Sequence, residues 1–192
     1  RLLLRYPEKF KDAFRNLRLA ATAGGAIDAF IVKNLKESNP DVTVLPMYGQ
    51  TEATARLAYL PSEDVAEFVD TIGKAIPGVE LDVFDTANRS VGYNIEGELV
   101  ARGDNIMLGY LDDDAATEKK IINGWMHTGD LAKKLPNGYF QLLGRKDDLI
   151  KIGDHRINPR ELEKYIESNN DVSGVFVVPV SHEILGSAIS LM

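Results

Sequence analysis

Cysteine is absent from the sequence, so neither a disulfide framework nor a thiolate metal site is available to it. Histidine is scarce, and His127, His155 and His182 are scattered rather than clustered as metal ligands would be. No apolar run approaches the about 20 residues that a membrane-spanning helix needs, and no secretory leader is visible. A cytoplasmic protein without a transmembrane segment is the expectation. Basic residues are outnumbered: lysine and arginine total 22 against 29 acidic residues, a formal net charge of −7. That balance speaks against nucleic acid as a partner, because its phosphates call for a basic surface. It leaves a nucleotide open, since a few local donors and a metal ion hold one.

What is present is an ordinary globular balance, 44% hydrophobic and 27% charged over 192 residues. The length suffices for one domain and part of another. No internal repeat and no low-complexity segment stands out. The chain starts at Arg1 and stops in the apolar run Ala188–Met192, which gives the expectation of a piece of a longer protein.

Hydrophobic periodicity predicts helix over Pro7–Leu17, with Phe10, Ala13, Phe14 and Leu17 on one face, and again over Ile27–Leu35, with Ile27, Phe30, Ile31 and Leu35 on one side. Leu19–Ala23 reads as a short strand ended by Gly24-Gly25, and Val42–Met47 as a buried, largely β-branched one. Helix, strand, helix, strand points to a layered α/β unit. The pattern then changes. Val79, Leu81 and Val83 alternate with polar residues, and Glu98–Arg102 and Tyr139–Leu143 are short strands between glycine-rich turns, with a helix at Ala115–Ile122 among them. This is a small, mainly β subdomain. From Gly144 the character shifts again. Arg145-Lys146-Asp147-Asp148 reads as a charged linker. Asn158-Pro159-Arg160-Glu161 reads as a helix start, with Leu162, Tyr165 and Ile166 on its apolar face, and Val175–Val180 as a strand.

Three segments carry chemistry. Tyr48-Gly49-Gln50-Thr51-Glu52 follows a buried strand, the place where ligands of open α/β sheets sit. Gly49 permits close backbone approach, Thr51 offers a hydroxyl to a phosphate oxygen, and Glu52 offers magnesium a hard oxygen. The same five residues also read as a turn with a capping threonine and a solvated glutamate. In Trp125-Met126-His127-Thr128-Gly129-Asp130, the carboxylate of Asp130 suits a ribose diol through charge-assisted bonds, although Gly-Asp is also ordinary turn chemistry; Trp125 reads as a packing residue. The run Gly144–Ile157 carries Arg145, Lys146, Lys151 and Arg156 near a domain junction, as phosphate or ribose contacts or as a solvated linker.

Taken together and in order, these segments resemble the superfamily of adenylate-forming acyl- and aryl-CoA synthetases, adenylation domains and luciferases. Tyr48–Glu52 is similar to its aromatic-Gly-x-Thr-Glu motif, and Gly24-Gly25-Ala26 looks like its nucleotide and acyl pocket segment. Gly97-Glu98-Leu99 through Gly103, with Gly109-Tyr110, resembles its Gly-Glu-Leu segment. Thr128-Gly129-Asp130 and Gly144-Arg145 resemble its ribose motifs, and Asp148–Glu163 the start of its small C-terminal domain. The resemblance runs from about residue 15 to the end.

The resemblance implies an α/β fold with a small mainly β subdomain. Residues 1–145 would be the C-terminal portion of the large AMP-binding domain, α/β to about residue 75 and β-rich after it. Residues 146–192 would be the hinge and the start of the small α+β domain. It implies an ATP-dependent carboxylic acid–CoA ligase that forms acyl-AMP and then acyl-CoA, with ATP/AMP, magnesium and coenzyme A. A module loading a carrier-protein phosphopantetheine, and a non-catalytic nucleotide-binding domain, are the alternatives. Gly24, Gly25, Ala26 and Tyr48 would frame the adenine, Tyr48 by stacking, beside Gly49 and Gln50. Thr51 would hold the α-phosphate and Glu52 the magnesium. Asp130 would grip the ribose with the help of Arg145. Asp147 would be the hinge, Arg156 would approach phosphate, and Lys151 would face the site in the thioester-forming arrangement. The family's phosphate loop and its adenylation lysine would lie outside the chain, so the chain alone is expected to be inactive. Asp154 stands where the family usually has glycine, which bears on the thioester step.

Overall fold

The computed structural model describes residues 12, 14–24, 27, 29–152, 155–169, 171–172, 174–182 and 186–192. Strand β1 (Leu19–Thr22) lies parallel to β2 (Thr43–Tyr48), joined by helix α1 (Ala29–Ser38). The antiparallel β3 (Ala58–Tyr59) and β4 (Lys74–Ala75) complete a sheet of order β1-β2-β3-β4. The two short strands are too brief to leave a periodic signal in the sequence. Helix α1 begins later and runs further than the Ile27–Leu35 periodicity predicts. Its core face is Val32 and Leu35, both buried, whereas Phe30, expected on that face, is 61% exposed. These two residues close a core with Val42, Val44, Leu60, Val65 and Tyr139, against which Phe14 and Leu17 pack. Most of the helix expected over Pro7–Leu17 lies outside the described residues.

The second sheet is antiparallel. It comprises β5 (Val79–Phe84), β6 (Glu96–Gly103), β7 (Ile121–Ile122), β8 (Trp125–Lys134) and β9 (Phe140–Arg145). The alternation read in Val79, Leu81 and Val83 is the inward face of β5, where Leu81 and Val83 are buried. Helix α2 (Asp114–Lys120) precedes β7, and the Asp113 carboxylate caps it by accepting from the Ala116 N–H at 2.9 Å. Helix is predicted over Ala115–Ile122, but Ile121 and Ile122 turn extended and pair with Met126 and Trp125. Leu81, Val83, Leu99, Ala101, Met126, Ala132 and Phe140 share one core with Ala53, Leu57 and Ala58 from the first sheet's side.

Of the residues read as a charged linker, Arg145 ends β9 and Lys146–Asp148 form a turn. The hairpin of β10 (Ile150–Ile152) and β11 (His155–Ile157) follows, then α3 (Pro159–Glu167) and the hairpin of β12 (Val177–His182) and β13 (Gly186–Leu191). The expected cap of α3 forms: the Asn158 side chain accepts from the Arg160 N–H at 3.1 Å, with Pro159 opening the helix. The expected apolar face is covered only in part, with Leu162 and Ile166 half-buried. No residue of α3 is buried, and Tyr165 is 77% exposed. No helix among the described residues is long and apolar enough to cross a membrane.

Candidate functional site

The site begins at the carboxyl edge of the parallel pair. The register Leu19↔Thr43 through Thr22↔Pro46 brings the segments after β1 and β2 out side by side. Gly24, two residues beyond β1, adopts φ +85°; Gly25 and Ala26 lie outside the described residues. Tyr48 ends β2, and Gly49 and Gln50 lead into a single tight turn, Thr51–Ala53, followed by Thr54 and Ala55, both left-handed at φ 48° and 68°. A glycine is required at 49 because a Cβ there would collide with the backbone carbonyl of Ala55. Asn105 ties this turn down from outside, its amide donating to the carbonyls of Ala53 (3.0 Å) and Arg56 (2.8 Å), and the Met107 N–H donates to the Glu52 carbonyl at 2.8 Å. Thr51 stays exposed, and Glu52 is partly so.

The second half of the site comes from a bulge between β6 and β8. Glu98 pairs with Leu131 and Val100 with His127, so one residue of β6, Leu99, faces three of β8: Thr128, Gly129 and Asp130. Extra residues in one strand bend it and re-aim a side chain. Gly129 makes the bend at φ +80°. The Thr128 hydroxyl, fully buried, donates to the Leu99 carbonyl (2.7 Å) and accepts from the Asp130 N–H (3.1 Å). From below, the Glu98 carboxylate accepts from the Gly129 N–H at 3.1 Å and from Lys146 Nζ at 3.0 Å, with His127 Nδ1 at 3.1 Å. Burial pushes the Glu98 carboxyl up, but its bonds from His127 and Lys146 more than offset this and hold it below the usual carboxylate range.

The two halves meet at Asp130, which is only 7% exposed. The Tyr48 hydroxyl donates to its Oδ2 at 2.5 Å, the Gln50 amide donates to the same oxygen at 3.0 Å, and Arg145 Nη1 stands 3.4 Å from Oδ1. Arg145 is there because it pairs across the sheet with Asp130. Burial, then the charge and hydrogen bond of Asp130, push the Tyr48 phenol far up, so it remains a donor at any ordinary pH. The Gln50 amide also donates to the Thr128 carbonyl at 2.8 Å. At the outer end, the Tyr110 hydroxyl donates to Glu52 Oε1 at 2.7 Å, and Lys120 Nζ lies 4.0 Å from the same oxygen. The Tyr110 bond foremost, with Lys120 and Arg145 as nearby positive charge, holds the Glu52 carboxyl below its ordinary range.

The structure thus joins Tyr48, Gln50, Asp130 and Arg145 in one contact set, with Thr51 and Glu52 on the adjoining turn. Asp147 and Lys151 lie apart from it, in the exposed turn after β9 and on the exposed side of β10. The side chain of Arg156, and Gly153 and Asp154, lie outside the described residues. Trp125 packs, as expected of it, on Phe84 with ring centroids 5.2 Å apart and under the Arg102 guanidinium at 4.6 Å. Sequence reasoning missed Lys120 and gave Tyr110 and Glu98 no role. Tyr110 and Glu98 sat inside a recognised segment, but Lys120 is indistinguishable in sequence from its neighbour Lys119.

The donor set suits magnesium in one way only. Among the described residues no group of three or more acidic or histidine side chains forms a metal cage. An ionised Glu52, which accepts from Tyr110 at Oε1, offers the single protein carboxylate that magnesium takes when nucleotide phosphates complete its shell.

Residues 1–111 match the family described as AMP-binding enzyme. The chain is 32% identical over 185 residues to the 3-[(3aS,4S,7aS)-7a-methyl-1,5-dioxo-octahydro-1H-inden-4-yl]propanoyl:CoA ligase of Rhodococcus jostii, covering 96% of this chain and 34% of that protein. It is 30% identical over 185 residues to the medium-chain fatty-acid–CoA ligase of Escherichia coli, covering 96% of this chain and 32% of that protein. In fold it is similar to the O-succinylbenzoate coenzyme A synthetase of Bacillus subtilis solved in complex with ATP and magnesium ion, with a TM-score of 0.79 at 22% identity over 98% of this chain and 42% of that one. The chain spans about a third of the length of the curated relatives it matches. By sequence match, the chain belongs to the AMP-binding enzyme family.

Proposed function

We propose that the protein to which this chain belongs is an ATP-dependent carboxylic acid–CoA ligase, forming acyl-AMP and then acyl-CoA. The observation that carries this reading is the buried Asp130 carboxylate, fixed by Tyr48, Gln50 and Arg145, with the ionised Glu52 on the next turn. That is one anchor for a ribose diol and one for a metal–phosphate group, in a chain whose curated relatives are named CoA ligases.

In this reading Asp130 accepts from the ribose hydroxyls with Arg145 alongside, while Gly24, Gly25, Ala26 and Tyr48 border the adenine. Gly49 lets the backbone come close, and Thr51 donates to the α-phosphate. Glu52 holds magnesium, which when bound neutralises phosphate charge during in-line attack by the substrate carboxylate. The protein's own contribution is positioning: Tyr48, Gln50, Asp130 and Glu52 are held by hydrogen bonds within the fold. Residues 1–145 form the end of the large domain and 146–192 the start of the small one. Asp147, in an exposed turn, is the hinge that brings Arg156 or Lys151 toward the site. Free coenzyme A is the acceptor, and a cytoplasmic location, where ATP and coenzyme A are supplied, follows.

The full-length enzyme tests this. With a carboxylic acid panel, ATP, magnesium and coenzyme A, it should release pyrophosphate only when an accepted acid is present and yield acyl-CoA. Asp130→Ala should weaken AMP binding about 10- to 100-fold, the loss expected for charge-assisted bonds. Acid-independent phosphate release, or AMP binding indifferent to Asp130→Ala, would overturn the reading. Acyl transfer to a carrier protein but not to coenzyme A would redirect it to a loading module.

A further inference from the structure

Lys120 ends helix α2, and its side chain is only 18% exposed, whereas lysine ammonium groups ordinarily stay in water. Withdrawing an ammonium from solvent is costly unless its donors find acceptors. Three acceptors surround it: the Gln50 amide oxygen at 3.4 Å, the Thr128 carbonyl at 3.4 Å and Glu52 Oε1 at 4.0 Å. Two of these sit on the segment after β2 and the third on the bulge of β8, so one cation bridges the two halves of the site.

The consequence falls on Gln50. Its amide nitrogen faces the Asp130 carboxylate and the Thr128 carbonyl, which only accept, and its amide oxygen faces Lys120, which only donates. The amide is therefore oriented from both ends. With Lys120 gone, nothing donates to the oxygen, and the amide is held only by the two acceptors at its nitrogen. We propose that Lys120 is a positioning residue for nucleotide binding, acting through Gln50 on Asp130 and directly on Glu52. This rests on the reading of Asp130 as the ribose anchor.

The test is a double-mutant cycle in the full-length enzyme, read by calorimetric titration with AMP in the absence of magnesium. Lys120→Met, which keeps the apolar stem, and Gln50→Ala should each weaken AMP binding about five- to tenfold. The double variant should be no weaker than the worse single one, because both act on one contact. Lys120→Arg should recover affinity to within about twofold of wild type. Lys120→Gln enters the same cycle if Lys120→Met fails to fold. Unchanged affinity in the Lys120 variants, or losses that multiply in the double variant, would overturn the proposal. Asp130→Ala is run beside them: if it binds AMP like wild type, the ribose reading has failed, and the assignment of Lys120 falls with it for that separate reason.

Discussion

At the scale of single residues, the site is a matter of which group is charged and what faces it. Tyr48 is kept a phenol by burial and by the anion it serves, and Glu52 is kept ionised by a phenol and two cations. Glu98 does comparable work one layer below. Its folded pKa is depressed, so its contribution to stability is present above its unbound value of 4.5 and is lost as pH falls through the lower folded value. Replacing it with glutamine keeps an acceptor for the Gly129 N–H but removes the charge that Lys146 meets. Glu98→Gln should therefore be less stable than wild type near neutrality, and the gap should narrow as pH drops below about 4.5. Urea unfolding monitored at several pH values checks this; a gap that stays constant into acid contradicts it. Lys120 belongs to the same scale, since only its place in the fold distinguishes it from Lys119.

At the scale of elements, short segments are held by side chains rather than by their own length. Helix α3 buries no residue, so its start matters more than its face. Asn158 caps it and, with its amide, donates to the Leu143 carbonyl of β9 at 2.5 Å. The bond joins the helix of the proposed small domain to the last strand before the proposed hinge. Asn158→Ala should cost about 1–2 kcal/mol, combining a lost cap and an orphaned carbonyl. Asn158→Asp keeps the cap acceptor but not the amide donor, and should recover only part of the loss. Thermal unfolding of the two variants separates the contributions; equal midpoints for the Asn158→Asp variant and wild type would show that the Leu143 bond adds nothing.

At the scale of the whole molecule, two sheets of different kinds share one core, and the site lies along their seam. Leu57, fully buried on the first sheet's side, belongs to the same core cluster as Val83, Leu99 and Met126 of the second and closely follows the turn that carries Thr51 and Glu52. Leu57→Ala should lower stability by about 2–5 kcal/mol through lost burial and an unfilled cavity. The urea midpoint should fall without a change in slope. A loss under about 1 kcal/mol would mean that the seam relaxes around the gap.

The sequence by itself determined much of this. Val42–Met47 announced β2 because a β-branched run between turn residues has one good use, and Val79, Leu81 and Val83 announced β5 because inward and outward positions alternate. Asn158-Pro159 marked the start of α3 because capping chemistry is local. The segments at Tyr48–Glu52 and Thr128–Asp130 were recognisable by order and spacing. Tertiary structure alone decided the rest, because the deciding contacts are far apart in the chain. The two-residue strands β3 and β4 exist only through their neighbours. Phe30 and Tyr165 face outward because helix phase is chosen by what the helix meets, not by its own pattern. The bulge that throws out Asp130 needs β6 to be counted against β8. Tyr48 and Gln50 meet Asp130 across some 80 residues of sequence, and Lys120 becomes a bridge only where α2 ends beside both. Local physics fixes which segments can form; the packing of one sheet on another fixes which side chains they bring together.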